Sequence, residues 1–411
     1  MRLRRWAPLG SVLAAAFLFR IGNMVAHLAL PWFVITRTGS AGLAGVVAAS
    51  GIVATVAGSL IGGGIVDSAG PRRVALGAGL IGGLAAAMIP LLERVDALPV
   101  FALMTLVVLG AVFDAPGMAA QESRLPELGR IAGLSVHGVT SAKAVLSNSA
   151  ILAGPVLGGV AIGLLGAAPA LYLTSLCSVA AGLLAFWVLP RPRKRQAGRA
   201  TASEGGTWTG IHHLRREPLL GPLLVVVTSF AGIMSAISAV MVPALFLEAG
   251  RPATDYGLFA SALGAGGLLG AAGHGVLGKR IAPRFALAVG FASYAAAVLS
   301  LTLMPSVPAL MGIGAGAGLT TGMVSPIFNG AIYGRTPLAL RGRVLGAISA
   351  VATSAAPVSL IVGGLVVDRM GPTWAITAAA PLAMLVAALS LRLNFDAPTR
   401  ERDPGQGRFT E

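Results

Sequence analysis

Twelve stretches of the chain carry almost no charged side chains, and short clusters of Gly, Pro, Asp and Arg separate them. They run roughly over residues 7–34, 41–66, 74–92, 98–120, 135–165, 168–189, 218–247, 255–277, 285–304, 307–332, 344–367 and 372–393. A helix needs about 20 apolar residues to cross a hydrocarbon core of about 30 Å, so each stretch is long enough to span a bilayer. The pattern predicts an all-α membrane protein with twelve transmembrane helices.

Composition strengthens that reading. The chain is 55% hydrophobic and only 11% charged, with a mean hydropathy of +0.83, whereas soluble domains carry about 25% charged residues. Its 56 glycines suit helices that approach one another closely in lipid. The net charge of +15 would fit a nucleic-acid partner, but its placement excludes one. With both termini cytoplasmic, 24 of the 30 Lys and Arg fall in the tails and inner loops. Arg37, Arg94, Arg251 and Arg369 fall outside, and Arg20 and Lys143 lie within helices. That asymmetry is the positive-inside rule. The N-terminal run resembles a signal peptide, yet it continues past Arg20 without a cleavage site and reads as an uncleaved first span. A single cysteine, Cys177, leaves no internal disulfide to form.

The longest polar interruption, residues 191–217, divides the twelve stretches into six and six. It reads as a cytoplasmic linker between an N-terminal lobe (1–190) and a C-terminal lobe (218–394), with a cytoplasmic tail at 395–411. The pair His212–His213 is not expected to hold a metal, and no cofactor is implied anywhere. The halves echo each other: PRRVALGAG from Pro71 matches PRFALAVG from Pro283, setting Asp67 against Lys279. SAILAGPVLGG matches TSAAPVSLIVGG, and Pro116 aligns with Pro326. Repeats of this size in the membrane point to a transporter whose solute site lies between the halves near the midplane.

Between the second and third stretches stands GGGIVDSAGPRR. Its Gly63, Asp67, Gly70, Arg72 and Arg73 form a compact cluster in which a carboxylate can pair with arginines or cap a helix. Such a cluster can act as a conformational latch or, more simply, as a basic anchor. In the fifth stretch, Gly154, Pro155, Gly158 and Gly159 make a bendable helix, a candidate hinge. The first cluster resembles the G-x-x-x-D-x-x-G-x-R-R signature of the major facilitator superfamily. The second resembles the Gly-Pro-x-x-Gly-Gly motif of its exporters, and the order of motifs is similar to the branch of enterobactin and macrolide exporters. That resemblance implies two pseudo-symmetric six-helix lobes and drug:proton antiport. Where the branch has Arg-Ala-Asn, this chain has Gly138, Val139 and Thr140.

Ionisable groups inside membrane spans are rare and functional by default. Arg20, Asn23 and His27 share one face of the first span, and Asp114 is the carboxylate set well inside a span. Lys143 lies at about the same depth, about 12 Å from the inner end of its helix, which allows an Asp114–Lys143 pair. His274, near a helix end, reads as structural. The second half offers Asn329, Tyr294, Thr320, Thr321, Ser349, Thr353 and Ser354. The substrate and proton pathway is therefore assigned to Arg20, Asn23, His27, Asp114, Lys143 and Asn329. No phosphate-binding loop or hydrolase motif occurs. The expected activity is proton-linked efflux of small hydrophobic or amphipathic compounds across a bacterial plasma membrane, with no oligomer required. A metabolite facilitator or importer is the alternative, and a membrane enzyme or sensor the more distant one.

Overall fold

The computed structural model describes residues 2–189, 212, 214, 216–278, 280–338 and 340–395. Its regular elements are all helical, and twelve helices are long and apolar enough to cross a membrane. Spans 1 to 6 are Trp6–Thr38, Ala41–Ala69, Pro71–Arg94, Val100–Ala132, Val136–Leu165 and Ala167–Val188. Spans 7 to 12 are Leu220–Glu248, Ala253–Val276, Pro283–Leu301, Val307–Arg335, Arg341–Met370 and Pro372–Ser390. Six spans on each side of the linker put the start of span 1, the end of span 6, the start of span 7 and the end of span 12 on one face, termed the linker face; the opposite one is the loop face. His213 and Lys279 lie outside the described residues, as does nearly all of the linker.

Local chemistry sets the helix boundaries. Ser40 caps span 2 by accepting from Leu43 N at 3.1 Å, and Ser135 does the same for span 5 through Gly138 N at 3.1 Å. Span 2 ends at Gly70, whose φ of +84° only glycine adopts freely, and Pro71 opens span 3. Gly166 and Gly371, with φ of +92° and +78°, make like junctions after spans 5 and 11, so that pair of matched segments repeats in backbone geometry, whereas Ala282, matched to Gly70, has φ of −61°. Two helices carry interruptions. Span 4 breaks at Ser123–Arg124 into the short helix Leu125–Ala132, which lies at the linker face with Leu125 and Leu128 buried. Span 7 contains a π-helical turn, Ile237–Met241.

The packing of apolar side chains shows how the lobes meet. Toward the loop face, one continuous core includes Trp32 and Phe33 of span 1, Phe246 of span 7, Phe259 of span 8 and Leu360 of span 11. Toward the linker face it continues only in the C-terminal lobe, through Leu219, Leu223 and Leu287. One core, with Leu9, Val12 and Leu128, belongs to the N-terminal lobe; another, with Leu220 and Val344, belongs to the C-terminal lobe. Leu60 of span 2, Val145 of span 5, and Leu269 and Val276 of span 8 are exposed in the linker-face half. The lobes are thus joined at the loop face and parted at the linker face.

The seam is built on glycine. A methyl group at Gly45 would come within 2.3 Å of the Leu360 carbonyl oxygen in span 11. One at Gly257 in span 8 would meet the Pro155 carbonyl oxygen of span 5 at 2.4 Å. Backbone therefore lies on backbone where spans 2 and 11, and spans 5 and 8, cross between lobes.

Candidate functional site

A cavity of about 300 Å³ lies beneath the seam, at the lower end of the size range for small-molecule sites. Spans 1 to 4 and 6 supply most of its wall, with Ser235, Ser238 and Ala239 of span 7 and Leu360 of span 11 closing one side. The site was expected between the halves; the structure instead sets this cavity chiefly within the N-terminal lobe. The walls are mainly Ala, Val, Leu, Ile and Gly.

Its polar groups come from a few helix positions. Asn23 and His27 of span 1 both line the cavity, one turn apart, as their shared face predicts. Asp114 enters from span 4 and lines the same cavity beside Asn23. Thr55, Thr174, Ser178, Ser235 and Ser238 add hydroxyl groups. Thr174 Oγ1 donates to the Gly22 carbonyl at 3.0 Å, fixing span 6 on span 1. The π-helical turn of span 7 brings the Ser238 carbonyl to Tyr256 of span 8, whose hydroxyl donates to it. A π-bulge interrupts the regular hydrogen-bond ladder, so a side-chain donor satisfies the displaced carbonyl here. Sequence reasoning passed over Ser235 and Ser238, although their spacing of three residues was the available signal.

The remaining expected pathway residues lie elsewhere. Arg20 does not line this cavity; it lies one turn closer to the linker face than Asn23, half-buried, with no ion pair among the described residues. Lys143 does not pair with Asp114. Its Nζ lies 2.7 Å from Glu122 Oε1 at the linker-face end of span 4, a carboxylate that the expected helix end at residue 120 left out. Asn329 is exposed on span 10 and donates to Ser325 Oγ at 3.2 Å. Tyr294 is buried in the C-terminal core, edge-on to Phe230 at 5.5 Å. Ser293 and Thr320 share a hydrogen bond between spans 9 and 10. His274 packs against Gly278 at the linker-face end of span 8.

At the candidate latch, Asp67 and Arg73 are exposed, and neither forms an ion pair among the described residues. Arg72 lies over the Phe186 ring at 4.0 Å, with its Nε buried and unpartnered. A methyl group at Gly63 would meet open space. The close packing of span 2 falls at Gly58, against the Val112 carbonyl, and at Gly62, against Pro116, both partners in span 4. In the candidate hinge, Pro155 sits inside an unbroken helix. Gly154 accommodates Met24 of span 1, Gly158 faces Val25 and Leu28, and Gly159 faces Ala253 and Thr254 of span 8. Those residues form a packing surface and part of the inter-lobe seam.

The comparisons with known proteins agree with this architecture. The sequence model of the Major Facilitator Superfamily matches residues 12–274 and 224–410. The multidrug efflux pump Tap of Mycolicibacterium fortuitum is 32% identical over 373 residues, covering 89% of this chain and 90% of the pump. The pump of the same name from Mycobacterium tuberculosis is 31% identical over 380 residues, 90% of each chain. Among solved structures, the nucleoside transporter NupG superposes with a TM-score of 0.75 at 12% identity, over 94% of this chain and 98% of that one. An inward-facing, unoccupied bacterial homologue of the lysosomal transporter Spinster gives 0.66 at 13% identity, over 94% and 92%. Twelve helices in two six-helix lobes, a repeated Gly junction and these matches along nearly the whole chain make this protein a member of the major facilitator superfamily.

Proposed function

We propose that the protein is a secondary active exporter of small hydrophobic or amphipathic compounds, working by alternating access and driven by protons. The observation that carries the reading is the cavity: apolar walls, a few hydroxyls and one carboxylate, sealed toward one face beneath a lobed opening toward the other. The multidrug efflux pumps that match over about nine-tenths of the chain support the same solute class. The membrane is the bacterial plasma membrane, with the linker face cytoplasmic, so the conformation described above is open inward. Lobes 1–190 and 218–394, the linker 191–217 and the tail 395–411 are the working units.

In this reading a solute enters from the cytoplasmic side past Arg20 and Asn329 and settles against the walls of spans 1 to 4. Apolar walls of small residues bind by burial, which discriminates weakly between shapes. Asp114, with Asn23 and His27 beside it, exchanges the proton, because its surroundings change as the lobes rock and its proton affinity changes with them. Lys143 and Glu122 tie spans 4 and 5 together at the membrane face. Both are about one-third exposed (32% and 34%), so their pair contributes at most about 1 kcal/mol. The cluster Gly63, Asp67, Gly70, Arg72 and Arg73 is the inner latch. It stands open in this state, and Gly63 faces the space that a returning helix of the other lobe fills on closure. Gly154, Pro155, Gly158 and Gly159 are the surface on which span 5 moves.

Proteoliposomes with an imposed pH gradient test the proposal. Wild-type protein accumulates a lipophilic fluorescent dye against its gradient and releases it when a protonophore is added. Asp114→Asn still binds and equilibrates the dye but accumulates none, a loss of at least about tenfold. The double variant Glu122→Gln with Lys143→Met keeps accumulation within about twofold, since it removes both members of an exposed pair together. Full accumulation by Asp114→Asn would remove Asp114 from proton coupling, and dye movement indifferent to the pH gradient would favour a facilitator.

A further inference from the structure

At the loop face, one carboxylate adds polar contacts to the apolar and glycine packing that joins the lobes. Asp368, near the end of span 11, reaches across the lobe boundary to the first residues of span 2. Its Oδ1 accepts from Ala41 N at 2.6 Å, and its Oδ2 accepts from Gly42 N at 3.0 Å. Ser40 Oγ donates to the same Oδ2 at 2.7 Å, while accepting from Leu43 N. The first N–H groups of a helix have no partner within it, and the positive end of the helix dipole favours an anion there. A carboxylate from the opposite lobe thus completes the cap of span 2. Gly42 makes room for it, since a methyl group there would stand 2.6 Å from Oδ2.

The ion pairs of the loop face have a different character. Arg37 pairs with Glu93 within the N-terminal lobe. Arg251 pairs with Asp255 at 3.0 Å and donates to the Pro305 carbonyl at 2.9 Å, within the C-terminal lobe. Those contacts are unaffected when the lobes move as bodies. The contacts of Asp368 are broken, because opening the loop face must draw span 11 away from span 2.

We propose that Asp368 is the gating residue of the loop face: its carboxylate, capping span 2 across the lobe boundary, stabilises the conformation open to the linker face. The arrangement is reciprocal to the candidate latch. Asp67 stands at the linker-face end of span 2, and span 11 begins at that face with Arg341. Each helix of the crossing pair therefore carries a carboxylate near its C-terminal end and presents its N-terminus at the opposite face. In the present conformation the Asp368 cap is made and Asp67 is free of ion pairs among the described residues. Alternating access exchanges one cap for the other, which keeps both conformations within reach of each other in free energy.

The proposal rests on alternating access, but its test reads conformation rather than transport, so it stands or falls independently of the solute and of the coupling ion. Spin labels are placed in a Cys177→Ser background, one per lobe: Ala97→Cys with Ser306→Cys for the loop face, His137→Cys with Leu338→Cys for the linker face. Pulsed EPR in lipid nanodiscs gives the distance distributions. Asp368→Ala raises the ratio of open to closed loop-face populations about tenfold, the loss expected for a charged N-cap, and the linker-face distances shorten in step. Asp368→Glu restores most of the parent distribution. Ser40→Ala moves both faces the same way by a smaller factor, and it carries the test if Asp368→Ala does not fold. Distances unchanged at both faces in these variants overturn the proposal. So does a loop-face broadening with no answering closure at the linker face, the mark of a merely structural contact.

Discussion

Substituting Gly45 by alanine tests the seam with one methyl group. The added Cβ would lie 2.3 Å from the Leu360 carbonyl oxygen and 3.0 Å from its carbon. Ordinary contact begins near 3.4 Å, so spans 2 and 11 must part by about 1 Å, and backbone cannot swing aside as a flexible side chain would. Overpacking of this kind costs about 1–3 kcal/mol, a shift of about fivefold to a hundredfold in a two-state equilibrium. The cost falls only on the conformation with the seam closed; in the opposite one the two helices have already separated at this face. Alanine also raises helix propensity by about 1 kcal/mol, but span 2 is helical in both conformations and that gain cancels. The assay places Thr55→Cys, on the cavity wall, in a Cys177→Ser background and follows its reaction with an impermeant maleimide from the loop face of sealed vesicles. Gly45→Ala should speed labelling at least fivefold. Gly364→Ala, whose Cβ would stand 2.4 Å from the Ala41 carbonyl oxygen, should act in the same direction. Gly312→Ala, exposed on span 10 with nothing within 4 Å, should leave the rate unchanged. Equal rates for all three would refute the claim that glycine contacts hold the loop face shut.

Two further outcomes concern orientation and the linker-face cluster. With Cys177 removed, Gly250→Cys should react with an impermeant thiol reagent from outside intact cells and Gly205→Cys should not; equal labelling would contradict cytoplasmic placement of the linker. Asp67→Asn should insert normally, slow dye export several-fold and increase the fraction of molecules open to the linker face, the reverse of the effect of Asp368→Ala. Unchanged export and unchanged distances would reduce the cluster to a basic anchor.

How much of this was legible in the sequence depends on the range of the interaction involved. Hydropathy is a property of 20-residue windows, so the twelve spans emerge directly, and junction glycines such as Gly70 announce themselves beside Pro71. The shared face of Asn23 and His27 is equally local, because helical periodicity decides it without reference to any partner. Pairing across helices is not local. Equal depth permitted an Asp114–Lys143 bridge, but depth is one coordinate of three, and the azimuth of each helix decides which residues meet. Glu122, left outside the expected span, takes Lys143 at 2.7 Å, and Asp114 faces the cavity beside Asn23. Glycines show the same limit. Gly58, Gly62, Gly63 and Gly64 are alike in sequence, and only the path of span 4 separates the two that pack from the two that face open space.

Asp368 is the extreme case. Some 328 positions separate it from Ser40, it stands beside Arg369 in what reads as an ordinary polar turn, and two of its three donors are backbone N–H groups. A carboxylate that caps a helix of the other lobe needs no complementary side chain, so no pairing of charges along the chain could have signalled it. The same reasoning bears on Asp67, whose surroundings in this conformation offer arginines but no ion pair. If its partner is also a helix N-terminus, at the start of span 11, the arginines beside it serve a different purpose. Arg72, stacked on Phe186, holds span 3 against span 6 inside its own lobe and leaves the carboxylate available to reach across. The signature then divides into one residue that moves between partners and neighbours that keep its lobe rigid. A rigid lobe is what allows a cap of a single carboxylate to bias the position of six helices at once.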